Sequence, residues 1–315
     1  MNMSPDRGHA PRHTAIARGR AYDLLADLFR DGPARLDHLR AVAVLAPHLP
    51  ESFDDDAKAW HHRVMVHEVS PHAGVFLHPE GLVGGDTADE SLGTMRAGGF
   101  SPDTRSVPAD HLSASLGYLS WLCGAEADAW RDGEDAVARR VRGRAHVFIE
   151  TQLYRWLPPL VAAIEGVDPG LYGAAARLLV DLTADHLGRE PEPVPLPVSV
   201  RNVLDERGVG VREIARYLAV PVNAGALLTP TWMREVAREA EGATGFGTRA
   251  QRLEGMLQTG ARRGQAPQLL GALHTRLEGM AERLDALPCG APWADRVYHS
   301  ANLVQTMQAA VSEAS

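Results

Sequence analysis

The sequence predicts an all-α protein. Apolar residues recur at steps of three and four along most of the chain, no segment alternates apolar and polar residues as a strand would, and Gly and Pro clusters fall between the periodic stretches. Aromatics make up only 6% of the residues, so Leu, Ala and Val must do the packing, which suits helices better than sheets. At 315 residues the chain is long for one helical domain. A single-domain helical bundle followed by a second, smaller helical unit is expected.

The elements follow in order. Residues 1–14 read as a flexible tail, polar and proline-bearing. Tyr22, Leu25 and Phe29 mark an apolar stripe that ends near Asp31-Gly32-Pro33. Asp54 to Val66 reads as a helix with an acidic first turn suited to the helix dipole. Ser70 to Gly85 reads as a long loop, rich in Pro and Gly, and long loops inside compact domains usually carry function. Asp86 to Ala97 returns to helix and stops at Gly98-Gly99. Next comes a strongly periodic helix, with Leu112, Leu116, Leu119 and Leu122 on one face and Asp110 placed to cap its start. Helices are expected over Ala125–Arg142 and Ala145–Ile164, the second kinked or ended at Pro158-Pro159, and over Tyr172–Leu187. Four alternating prolines in Glu190–Pro197 favour an extended linker. The domains are therefore drawn as 15–189 and 199–315, joined by 190–198. Beyond the linker, helices are expected over Val211–Leu218, Thr231–Glu241, Thr248–Arg263, Pro267–Leu287 and Pro292–Val311.

A net charge of −8 argues against nonspecific binding to nucleic acid or an anionic membrane surface. Lys58 is the sole lysine, which carries no functional weight. Cys123 and Cys289 form no spacing pattern and read as reduced packing residues. The N-terminus has no apolar run of a signal peptide, and no stretch approaches the ~20 apolar residues of a membrane span. A cytoplasmic location is expected.

The chemistry-bearing stretch runs from Phe100 to Leu122. Pro108 closes a loop, and Asp110 and His111 stand side by side at a helix start, followed by Leu112. A carboxylate placed there can accept a guanidinium fork. Tyr118, Trp121, Phe148 and Trp156 are aromatic anchors that could line a groove for an apolar helix, although core packing is the ordinary fate of such residues.

Four pieces in order resemble the TorD/DmsD/NarJ family of molybdoenzyme assembly chaperones. They are the first helix with Tyr22 and Phe29, the loop Val69-Ser-Pro-His-Ala-Gly-Val-Phe76, the Gly-Phe100…Asp110-His-Leu element, and Trp156-Leu157-Pro158. The chain departs from the family pattern at His72, Ala73 and Gly74, at Ser115, and at Gln152. The resemblance covers roughly Arg18–Leu187, with a looser likeness beyond. It implies a cytoplasmic chaperone that binds the twin-arginine leader or immature form of a molybdopterin oxidoreductase and assists cofactor insertion before release or export. It also implies a client site at Pro71, Phe76, Phe100, Pro108, Asp110, His111, Leu112, Tyr118, Trp121 and Trp156, and a monomer or homodimer. No catalytic residue, no resident cofactor and no metal are expected, and the resemblance allows only transient contact with molybdenum cofactor or a guanine nucleotide. No partner is expected in nucleic acid or membrane.

Two alternatives stand beside this reading. His61, His62, His67, His72 and His78 could ligate a transition metal. However, His67-Glu68-Val-Ser-Pro-His72 puts its histidines five apart with Pro71 between, whereas the zinc-hydrolase motif needs them four apart on one helix. Residues 212–236 have the look of a DNA-binding helix-turn-helix, but the stretch from Asn223 to Pro230 has no Arg or Lys to reach bases or phosphates. No Walker-type phosphate loop and no Gly-x-Ser-x-Gly elbow is present.

Overall fold

A computed structural model describes residues 9–242 and 244–313. Among them helices account for the regular structure and no strand forms, so the chain is all-α as its periodicity predicts. The helices are α1 (His9–Asp31), α2 (Leu36–Arg40), α3 (Asp55–His62), α4 (Ala73–Leu77), α5 (Asp86–Ala97), α6 (Leu112–Arg131), α7 (Asp135–Phe148), α8 (Leu157–Val167) and α9 (Leu171–Leu187). After the proline-rich segment come α10 (Val211–Ala219), α11 (Pro221–Ala224), α12 (Pro230–Glu239), α13 (Arg249–Arg262), α14 (Ala266–Asp285) and α15 (Ala291–Glu313). Two π-helical turns, Arg63–Glu68 and Ile149–Leu153, extend α3 and α7. None of the described helices is long and apolar enough to cross a membrane.

Helix α6 is the centre of the first half. Leu112, Leu116, Leu119 and Leu122 are all buried, and α6 packs along α1 on one side and α7 on another. In the second half α14 packs along α15 and α10 along α13. The buried apolar cluster runs without interruption from Tyr22 to Val304, across the proline-rich segment. Trp293 of α15 also donates its indole N–H to the Arg155 carbonyl at 3.1 Å, which ties the last helix to the start of α8.

Several boundaries differ from the sequence reading. Residues 9–14, expected in a tail, begin α1, while residues 1–8 lie outside the described residues. The helix expected over Ala125–Arg142 is broken. Gly133 takes φ +76, and the bonds Glu134 N–H to Ala129 O and Gly133 N–H to Trp130 O close α6 in a Schellman turn. Pro158 and Pro159 start α8 rather than ending a helix, because the first-turn N–H groups they lack would have no partner anyway. The expected loop Ser70–Gly85 contains α4, and Asp110 does not cap α6. His111 does, its Nδ1 accepting from the Ser113 amide at 3.1 Å.

Candidate functional site

The π-turn Arg63–Glu68 is followed by Ser70, a non-glycine residue at φ +53, and this bend aims Pro71 and His72 at the start of α6. There the two chains form an isolated antiparallel bridge between His72 and His111. The Ala73 amide donates to the Asp110 carbonyl at 2.8 Å, and the Leu112 amide donates to the Pro71 carbonyl at 2.9 Å. Pro71, Asp110, His111 and Leu112, predicted as site residues, are thus brought together, with His72 added. Pro108 sits at the exposed rim, its carbonyl accepting from the His111 amide at 3.1 Å.

Asp110 is 1% exposed. Its Oδ2 accepts from the backbone amides of Gly74 at 3.2 Å and Gly84 at 3.3 Å, so one carboxylate oxygen pins both ends of the segment 74–84. Its Oδ1 is buried with no hydrogen-bond partner among the described residues. Gly74 is required for this approach. A Cβ there would lie 2.4 Å from the Leu82 carbonyl oxygen and 2.9 Å from Asp110 Oδ2. Leu82 and Val83, just before Gly84, are about half exposed, an unusual place for two branched aliphatic side chains. Sequence reasoning named the loop and the carboxylate but missed their connection. Gly74, one of the residues departing from the family pattern, was the available signal.

Burial dominates the electrostatics. His111 is pushed down to about 3 by burial first and then by neighbouring His72, so its imidazole is neutral and its Nδ1 is free to accept. Burial also lowers His72, with Asp110 acting in the opposite direction.

The aromatic candidates divide into two sets. Phe100, Tyr118 and Trp121 form one cluster with Phe148, in which Tyr118 meets Phe148 edge-on at 4.9 Å and stacks on Trp121 at 6.3 Å. Trp121 is 39% exposed, and Val147, which precedes Phe148 in the chain, is 59% exposed. A cavity of about 270 Å³ opens beside Tyr118, Val147 and Phe148. Phe76 and Trp156 form the other set. They stack on each other at 5.8 Å and both are buried, Phe76 on α4 and Trp156 just before α8.

The rival constellations fare differently. The five histidines disperse: His61 bonds Tyr172 and the Arg30 carbonyl, His62 meets His67, His72 meets His111, and His78 accepts from the Glu80 amide. Among the described residues no three His, Cys, Asp or Glu side chains gather as a metal set. In the helix-turn-helix candidate, residues 221–229 are buried apart from a half-buried Asn223, so they present no face to a DNA groove. Both thiols are pushed up by burial, Cys123 to about 12 and Cys289 to about 11, and so are poor nucleophiles.

Residues 36–162 match the family model described as nitrate reductase delta subunit. The chain is 38% identical over 93 residues to a selenate reductase assembly chaperone protein of Thauera selenatis, covering 29% of this chain and 47% of that protein. It is 35% identical over 95 residues to a chlorate reductase assembly chaperone protein of Ideonella dechloratans, covering 30% of this chain and 48% of that one. The chain thus spans about half the length of these curated relatives. No solved structure matches. Residues 36–162, which hold both the Asp-His-Leu and Trp-Leu-Pro elements, are thus similar to the nitrate reductase delta subunit family, in agreement with the resemblance drawn from the sequence.

Proposed function

We propose that this protein is a cytoplasmic assembly chaperone for a molybdopterin oxidoreductase, acting by binding and not by catalysis. It holds the leader or another segment of the immature catalytic subunit until the cofactor is seated. Both matched relatives are named as reductase assembly chaperones, which supports the general role. The observation that best supports the site is Asp110, a buried carboxylate with one oxygen pinned by two loop amides and the other without a partner.

In this reading the segment 74–84 swings away and a client arginine takes its place on Asp110. A guanidinium supplies two parallel N–H donors, one for each carboxylate oxygen, so Oδ2 keeps a charge-assisted donor in place of the loop amides and Oδ1 gains the partner it lacks. Pro71, His111 and Leu112 hold Asp110 in place, and Pro108 forms the rim. The apolar part of the client lies on the shelf of Phe100, Tyr118 and Trp121, about 14 Å further along α6 at 1.5 Å per residue. Phe76 and Trp156 support the floor. Residues 15–189 form the chaperone unit and 199–315 the extension. A chaperone that binds only the immature client biases it by mass action, with no chemical step.

The test is complex formation with the catalytic subunit of a molybdopterin oxidoreductase from the same organism, prepared with and without its cofactor. Size-exclusion chromatography should show a complex with the cofactor-free subunit alone. Equal binding of both forms, or of neither, would remove the chaperone reading.

A further inference from the structure

Glu68 ends the π-turn that leads into the loop, and it is 4% exposed although charged. Its partners all come from α12, beyond the proline-rich segment. The Thr231 amide donates to Oε2 at 2.8 Å, the Thr231 hydroxyl to Oε1 at 2.8 Å, and the Arg234 guanidinium to Oε1 at 3.0 Å. A buried carboxylate so fully satisfied, at a helix N-terminus where the dipole favours negative charge, is a firm attachment point. Two residues later the backbone reaches Ser70 at φ +53 and then the His72–His111 bridge. A shift of Glu68 has no flexible spacer in which to dissipate before it reaches Gly74.

The far side of the loop meets the same unit. The position of a Cβ on Gly81 lies 3.9 Å from Pro221 Cδ and 4.0 Å from Val220 Cγ1. Pro79 and Glu80 form one wall of a cavity of about 580 Å³ whose other walls include Tyr217, Val220 and Asn223. The loop is thus held by Asp110 on the α6 side, and at its root and its turn by the residues that follow the linker.

We infer that Glu68 is a positioning residue through which the C-terminal helices set how readily the loop 73–85 leaves Asp110. Its bearing on a client rests on the function proposed above, but the coupling itself does not. Because coupling between two sites is reciprocal, whatever displaces the loop must in turn loosen or tighten the first turn of α12.

Hydrogen exchange on the full chain tests this. Glu68→Ala should speed exchange of the Gly74 and Gly84 amides about tenfold or more while α1 and α6 keep their protection. Glu68→Gln, which retains an acceptor for Thr231, should restore most of the protection. Thr231→Val removes one donor without unburying a charge, so it gives the same reading should Glu68→Ala fail to fold. Addition of a leader peptide that binds should change exchange at Thr231 and Trp232. Unchanged exchange at Gly74 and Gly84 in well-folded Glu68→Ala and Thr231→Val would overturn the inference. So would an equal rise throughout α1 and α6, which would make Glu68 mere support for the fold. Selective loop opening in these variants, with no client segment bound by the wild type, would uphold the coupling and remove the proposed function alone.

Discussion

His72 and His111 face each other across an antiparallel bridge, their rings 4.7 Å apart and inclined at 72°. Each stands beside Asp110 in the chain or in space, yet burial lowers the pKa of both. The consequence is a neutral pair. His111 in particular must stay neutral, because its Nδ1 accepts the Ser113 amide that opens α6.

A pH dependence follows. His111 and His186 are each held at about 3 in the folded protein, chiefly by burial, against 6.5 when unfolded. Below 6.5 the unfolded chain binds protons that the folded chain does not, so stability falls as pH falls from about 6.5 towards 3 and is fully present above that window. Between pH 7 and pH 5 the loss should be roughly 2 kcal/mol for each histidine. Urea unfolding at the two pH values measures it, and His111→Asn, an alternative cap, should make the slope shallower. An unfolding midpoint that does not move between pH 7 and pH 5 would contradict this assignment.

Gly74→Ala should loosen the loop. The added methyl meets the Leu82 carbonyl and Asp110 together, and one of the two must give way. A cost of about 1–3 kcal/mol is expected, as for overpacking elsewhere. Limited proteolysis should then cut between residues 79 and 85 faster than in the wild type. An unchanged cleavage rate would mean that the loop is not docked in solution.

Much of this fold was legible because its helices are amphipathic. The four leucines of α6 gave both its existence and its buried face, and they are buried. Boundaries were less legible. The Schellman turn at Gly133 depends on one left-handed residue in a run that otherwise keeps its period, and the prolines of α8 mark a start or a stop equally well from sequence alone. At the candidate site, Asp110 and His111 were singled out by resemblance, but the capping role expected of Asp110 falls to His111. A carboxylate before a helix is the usual cap, and here tertiary contact with Gly74 and Gly84 outcompetes the local one. Glu68 and Thr231 lie 163 residues apart, and no local pattern could join them.

Asp110→Ala should therefore act on the loop and leave the start of α6 intact. Two amides lose a charged acceptor, a loss of roughly 1.5–3 kcal/mol in loop docking. Far-ultraviolet circular dichroism should show unchanged helicity, while exchange at Gly84 rises. A fall in helicity with no change at Gly84 would restore Asp110 to the capping role.

The chain should unfold in one transition. Its buried cluster crosses the proline-rich segment without a break, and Trp293 bonds the backbone at Arg155, so neither unit keeps a complete core alone. Thermal scans by circular dichroism and by tryptophan fluorescence should coincide. Two well-separated transitions would show that 15–189 and 199–315 fold independently.

The most direct test of the central claim is a double-mutant cycle by calorimetry between this chain and the twin-arginine leader peptide of a molybdopterin oxidoreductase from the same organism. Asp110→Asn keeps an acceptor for the loop amides but removes the charge that a guanidinium needs. It should weaken binding by about 1.5–3 kcal/mol, and replacing the leader arginine by glutamine should cost a similar amount. The double change should cost little more than either alone. Additive losses would place the arginine elsewhere, and wild-type protein with no affinity for any client segment would contradict the account itself.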